Sequence, residues 1–457
     1  MLKTIRQAWK VEALRKKMLF TLLVIVLFRL GNAITVPFIN TDLLKTQMDI
    51  MNSTAFGLIN MMSGGAFAMA KLFALGIQPY INASIIIQLL CVAIPSLEDL
   101  SKNAGEIGKK KIKKYTYIAT FFIAILQAFG YYTIMKRYNL LTDTVSPILE
   151  CFVICLCLII GAGVLTFLGA KVEKHGIGNG ISIILFAGII SRLPSAIMSS
   201  VSEMQTWYQV HTGAITVENL VSAGLTEANA TEYINSITQP WQLVLMLIGA
   251  AALILLIIYV YDIERRIPVQ YAAPSGKRMA SGRKTFMPFK ISMAGVLPII
   301  FAQSILSLPL TIWAFIGTPA EGTIGYKIYA AISSYSWVYI LLYFVLIIAF
   351  SYFYNSIQCN PIEIANNLKA NGGFIPGFRP GNPTVEIIKN ALKWTTLFGA
   401  IYLAIIAIAP LLASNLNQSS SIAIGGTSVI IVVSVAIETA KALDSQLSLY
   451  NYSGFLP

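Results

Sequence analysis

Groups that could do acid or base chemistry are scarce. His175 and His211 are the only histidines in 457 residues, both in loops, and no Asp or Glu lies in the middle of an apolar run; Glu150, Glu438 and Asp444 sit at run ends. Without a buried acid-base pair, catalysis inside a membrane has no machinery. Ion-coupled transporters usually hold an intramembrane acid or base, so its lack also weighs against proton antiport, though not against sodium coupling through carbonyls. Cysteine is scarce too: the five are an odd number, and Cys91, Cys151, Cys155 and Cys157 lie in or at apolar runs. No disulfide framework, metal site or cofactor is implied. Cys155 and Cys157, two apart, face different sides of a helix and read as packing. The Gly176–Gly180 stretch GIGNG lacks the Lys and Ser/Thr of a phosphate loop, so it reads as a loop-to-helix turn. Charge itself is thin, 12% against 56% hydrophobic residues with a mean hydropathy of +0.71, which excludes a soluble domain of this length. The chain is a polytopic membrane protein.

Apolar runs predict spans at Met18–Val36, Leu72–Ile94, Tyr115–Met135, Pro147–Leu168 and Ile181–Met198. Five more follow at Leu243–Val260, Ile291–Ile312, Tyr335–Tyr354, Trp394–Leu412 and Ile422–Ile437. The basic Met1–Lys17 segment precedes an apolar run as in a signal peptide, but no small-x-small cleavage site follows, so the first span is read as uncleaved. Ten spans put both termini on one side. Lys and Arg are retained in cytoplasmic loops. With a cytoplasmic N-terminus, 26 of the 33 Lys and Arg fall inside and 6 outside, with Arg29 in the first span. The longest loop, Ser199–Gln242, is then external and carries no Lys or Arg. Both termini are therefore expected in the cytoplasm.

Five spans, an external loop and five more spans predict two halves: 1–198 and 243–457, joined by the loop 199–242. An odd number per half makes any structural repeat inverted. The stretch Ala55–Leu90 is unlike a plain span. Ala55–Ala70 is apolar but too short for the ~20 residues of a spanning helix, and Gly64, Gly65 and Ala66 interrupt it. Such a half-helix enters the membrane and stops, which is tolerated only where protein or water surrounds it. A pore or transport pathway is the expectation. Two cytoplasmic loops, at 261–290 and 357–390, are patterned as well. In the first, Ile267, Val269 and Tyr271 alternate with polar residues and predict a protruding hairpin. In the second, NNLKANGGFIPGFRPGNP enforces a rigid, non-helical path that presents Arg379, and loops this structured usually bind something.

Within the spans, Ile81 with Ile85 and Ile181 with Leu185 are i,i+4 pairs that each share a helix face. Taken alone they are ordinary core or lipid contacts. Ser84, Gln88, Gln127, Gln303 and Ser304 need partners in a low dielectric, and helix-to-helix hydrogen bonds would supply them.

Six stretches, in order, are similar to one family: SGGAFAMAKLFALGIQPYINASIIIQLL, GIGNGISIILFAGIISRLP, RRIPVQYA, SMAGVLPIIFAQSIL, NNLKANGGFIPGFRPG and GGTSVIIVVSVAIETAKALDSQL. The chain resembles SecY, the channel subunit of the bacterial Sec protein translocase. The resemblance implies an all-α fold of ten transmembrane helices in two inverted five-helix halves around a central pore, with a re-entrant plug half-helix. It implies a protein-conducting channel of the bacterial cell membrane that passes unfolded secretory chains and releases hydrophobic segments laterally. By resemblance, the pore ring is Ile81, Ile85, Ile181, Leu185, Ile300 and Ile431. The plug is Met61, Met62, Ser63, Gly64, Gly65, Ala66, Phe67, Ala68, Met69 and Ala70. The lateral gate carries Ser84, Gln88, Gln127, Ser292 and Gln303. Cytoplasmic docking falls to Arg265, Arg266, Lys277, Arg278, Arg283, Lys284, Lys369 and Arg379. Implied partners are the small membrane subunits SecE and SecG, the motor ATPase SecA, the ribosome through its RNA, signal sequences and nascent polypeptides, and the lipid bilayer. Leu185 stands where relatives usually carry Ile, Ser292 where many carry Asn, and the external loop is longer. A passive channel suits an aliphatic constriction, which cannot hydrate ions yet deforms around any sequence. An inverted-repeat secondary transporter of a small solute shares the broken helix and the five-plus-five count, and is the alternative.

Overall fold

The computed structural model describes residues 2–40, 43–44, 60, 63–102, 105–142, 145–212, 239–271, 284–291, 295–316, 319, 322–332, 336–417 and 426–453. Its helices are α1 (Leu2–Lys10), α2 (Glu12–Gly31), α3 (Gln78–Ala93), α4 (Pro95–Lys102), α5 (Gly105–Arg137), α6 (Pro147–His175), α7 (Gly180–Ile190) and α8 (Leu193–His211) in the first part. After these come α9 (Pro240–Tyr261), β1 (Glu264–Tyr271), β2 (Lys284–Lys290), α10 (Leu297–Ile316), α11 (Ile324–Ile332), α12 (Trp337–Gln358), α13 (Pro361–Ala370), β3 (Gly373–Phe374), α14 (Asn382–Asn417) and α15 (Gly426–Ser453). Each expected span coincides with an apolar helix or a helix pair. Four described helices are long and apolar enough to cross a membrane alone, and α3 with α4, bent by 108°, would make a fifth.

Several boundaries differ from the sequence expectation. The first span ends at Gly31 rather than Val36, because Ile34–Val36 leaves the helix to bridge the turn segment around Lys71: Leu72 N–H donates to Ile34 O at 2.9 Å and Val36 N–H to Ala70 O at 2.9 Å. The second span starts at Gln78 rather than Leu72, after turns, with Pro79 in its first turn where a missing N–H costs nothing. The fifth is broken at Ser191–Arg192 into α7 and α8, with Pro194 opening the second piece. In the loop 357–390, Cys359–Asn360 and Asn371–Gly381 are non-helical; the rest is the end of α12, α13 and the first turns of α14.

The two halves repeat one set of neighbours. In the first, α3 packs on α5, α5 on α6, α6 on α7, and α2 on α7; in the second, α10 packs on α12, α12 on α14, α14 on α15, and α9 on α15. The second list is the first with each helix five spans on. The halves meet along two seams, α10 against α3 and α5, and α7 against α15. Both chain ends lie on one face, since Ala8 and Leu14 share an apolar cluster with Ile177, Leu443 and Leu447.

The segments expected to be cytoplasmic pack as one unit among the described residues. β1 pairs antiparallel with β2, Ile267 opposite Met287, and on its other edge with β3, Gln270 opposite Phe374. Ile267 and Val269 bury on Ala365, Leu368, Ile388 and Leu392 of α13 and α14, whereas Tyr271, expected on the same face, is exposed. Burial pushes the Cys359 thiol up beside this core, which fits a packing role.

Candidate translocation pore and docking surface

The six sequence-predicted constriction residues come together. Ile81, Ile85, Leu185, Ile300 and Ile431 are buried members of one apolar cluster, and Ile181, partly buried, packs against it. They are supplied by α3, α7, α10 and α15, two helices from each half, within a core that also takes residues from α2, α6, α9, α12 and α14. The five buried members are only 1 to 5% exposed.

Of the expected plug, Met61 and Met62 lie outside the described residues. Asn60 is helical, but Ser63–Ile77 runs as successive turns rather than as a half-helix. The reason is local: Gly64 at φ 71° and Gly65 at φ 86° occupy the left-handed region. A side chain at Gly64 would meet Ser191 Oγ at 2.9 Å and Gly188 O at 3.1 Å, which seats the turn against the end of α7. Side chains pin it elsewhere. Asn60 Oδ1 accepts from Ala68 N–H at 2.9 Å, Ser63 Oγ accepts from Phe67 N–H at 3.1 Å, and the Tyr131 hydroxyl of α5 donates to Phe67 O at 2.8 Å. Phe67 and Tyr131 rings meet edge to face at 5.0 Å. This network was not foreseen; the only sequence signal was polar Asn60 and Ser63 within an apolar run.

At the seam between α3 and α10, Ser84 Oγ accepts from Gln88 Nε2 at 3.1 Å, and Gln303 is buried. Gln127 is half-buried on α5, and Ser292 lies outside the described residues. Sequence reasoning missed Gln78 and Asn82, buried one turn apart on α3 with side-chain oxygens lacking any protein partner.

The described residues among those expected to dock partners are spread over the sheet unit. Arg265, Arg266, Lys369 and Arg379 are exposed, with Arg266 Nε paired to Glu264 Oε1 at 2.7 Å. Thr384 Oγ1 donates to Arg379 O at 3.0 Å and so fixes the backbone that carries this guanidinium. Lys277, Arg278 and Arg283 lie outside the described residues, and Lys284 is placed only as a β2 residue opposite Gln270. Among the described residues no cluster of His, Cys, Asp or Glu could hold a metal.

Two helical halves that repeat one packing pattern and share a buried apolar core, with a non-helical segment pinned between them, have the build of a membrane channel. Comparisons with known proteins make the class specific. The SecY family model matches residues 71–440. The chain is 37% identical to "Protein translocase subunit SecY" of Bacillus licheniformis over 473 residues, covering 100% of both, and 38% identical to that of Streptomyces coelicolor over 474 residues, again covering 100% of both. A solved protein-conducting channel superposes with a TM-score of 0.59 at 16% identity, over 94% of this chain and 92% of that one. Sec61 in the canine ribosome-channel complex gives 0.56 at 15% identity, with the same coverage. The chain belongs to the SecY family and is a protein-conducting channel subunit.

Proposed function

We propose that this chain is the central pore of a bacterial Sec translocase, passing unfolded secretory polypeptides across the plasma membrane and releasing hydrophobic segments sideways between α3 and α10. The observation that carries this reading is that Ile81, Ile85, Leu185, Ile300 and Ile431, from helices of both halves, are buried in one shared apolar core, with Ile181 packed against it. Ile81, Ile85, Ile181, Leu185, Ile300 and Ile431 form the constriction, the segment 61–70 the plug, and Ser84, Gln88, Gln127, Ser292 and Gln303 the polar lining of the lateral gate. The halves are residues 1–198 and 243–457 and the loop 199–242 is external. Both termini are cytoplasmic; the 26 to 6 charge split supports this side, and the packing of Leu14 on Leu443 supports a shared one. Arg265, Arg266, Lys277, Arg278, Arg283, Lys284, Lys369 and Arg379 dock the motor SecA or ribosomal RNA, whose polyanionic backbone rewards basic loop tips. SecE and SecG complete the membrane assembly. The chain catalyses nothing itself, and energy comes from the docked partner.

The test replaces Ile85 or Ile300 by Asn. If these residues only pack between helices, a buried amide without partners destabilises the fold and lowers the inserted protein. If they close a pore, the amide meets water above and below; normal protein levels with raised resting ion conductance in planar bilayers is the expected outcome. Poor insertion without conductance would refute the ring.

A further inference from the structure

One turn of α15 touches every element that leads into the second side of the constriction. Lys441 Nζ pairs with Asp262 Oδ1 at 2.6 Å and lies 4.4 Å above the Tyr261 ring, at the junction between α9 and β1. A Cβ on Gly295 would stand 2.5 Å from Glu438 Oε1, so that carboxyl fills the space over the turn into α10, five residues before Ile300. Lys290, the last residue of β2, acts on the same carboxyl electrostatically. Thr439 packs on Gly178, the left-handed glycine of the turn that opens α7 and precedes Ile181 and Leu185. Asn179 caps that helix, its Oδ1 accepting from Ile181 N–H at 3.0 Å. Ile431 stands seven residues before Glu438 on α15, about 10 Å along the axis and within about 20° of the same face.

We infer that Glu438, Thr439 and Lys441 form a coupling hub that ties the base of the cytoplasmic hairpin to α7, α10 and α15, so that a load on the hairpin moves Ile181, Leu185, Ile300 and Ile431 together. They are positioning residues, remote from the translocating chain. The inference rests on the channel reading above and deepens it: docking and pore opening are linked through these contacts, and the GIGNG turn serves as a bearing surface for α15. The first strand is held by contact, through Asp262 ahead of β1, and the second lies within electrostatic reach through Lys290 at the end of β2, so tilting the hairpin bears on α15.

The experiment uses the chain in its membrane complex, reconstituted into vesicles, with SecA as the docking probe and a secretory precursor as cargo. Lys441→Gln and Asp262→Asn, the second at a side chain 70% exposed and so uninvolved in the core, each remove one end of the pair. Each is expected to leave SecA affinity within about twofold and to slow translocation about fivefold, the scale of a partly exposed ion pair with a cation–π contact. The exchange Asp262→Lys with Lys441→Asp is expected to transport faster than either single variant. Unchanged translocation in both single variants, a loss matched by an equal loss of SecA affinity, or an exchange no better than the singles overturns the hub. Ile85→Asn, run in parallel, separates the two claims. A leak there with no hub effect overturns the coupling alone, whereas no leak and poor insertion there overturns the ring and the coupling with it.

Discussion

The hydroxyl of Tyr131 offers a sharp measure of how firmly the proposed plug is held. Tyr131→Phe keeps the ring and its edge-to-face contact with Phe67 but deletes the 2.8 Å hydrogen bond to Phe67 O. That carbonyl is not orphaned, because Ala70 N–H still reaches it at 3.4 Å. The loss is therefore the net value of one buried hydrogen bond, about 1 kcal/mol, rather than a full desolvation penalty. Taken wholly from the closed state, about 1 kcal/mol raises the population of displaced plug about fivefold. Asn60→Ala is more severe. It strips the acceptor at 2.9 Å from the buried Ala68 N–H, at a cost of about 1 to 3 kcal/mol, or about five- to 150-fold in population. Resting open probability in planar bilayers, normalised to inserted protein, should rise in the order wild type, Tyr131→Phe, Asn60→Ala. Equal conductance in all three, or Tyr131→Phe leaking more than Asn60→Ala, would refute the assignment of these bonds to the closed state.

Arg379→Glu should abolish SecA-dependent translocation, by more than about tenfold, at normal membrane levels, because an exposed guanidinium on a backbone fixed by Thr384 is replaced by a charge that repels an acidic or phosphate partner. Survival of both transport and ribosome binding would remove the docking role. An impermeant thiol reagent on intact cells should label Thr216→Cys and leave Ser281→Cys unmodified; the reverse pattern would invert the topology.

Much of this architecture was legible in the residues because its determinants are local. Twenty or so apolar residues suffice to mark a span, Lys and Arg mark its cytoplasmic end, and Asn179 after a glycine-rich stretch marks a helix start. The alternation of Ile267 and Val269 likewise announced the hairpin. The i,i+4 pairs Ile81 with Ile85 and Ile181 with Leu185 were visible, but as ordinary core; only resemblance to a family joined them with Ile300 and Ile431 as a ring, and the tertiary structure shows all six in or against one apolar core. Nothing local distinguishes an isoleucine that faces a partner helix from one that faces a constriction, since both are apolar in an apolar run. The plug shows the same limit. Apolar composition suggested a half-helix, whereas the structure resolves Ser63–Ala70 as turns, because two left-handed glycines and hydrogen bonds from residues as distant as Tyr131 outweigh helix propensity there. The joining of β1 to β3 across about a hundred residues, and the grip of Lys441 on Asp262, are long-range pairings between separately plausible segments. Each partner is ordinary in its own neighbourhood, and only the packing of helices from both halves decides that they meet.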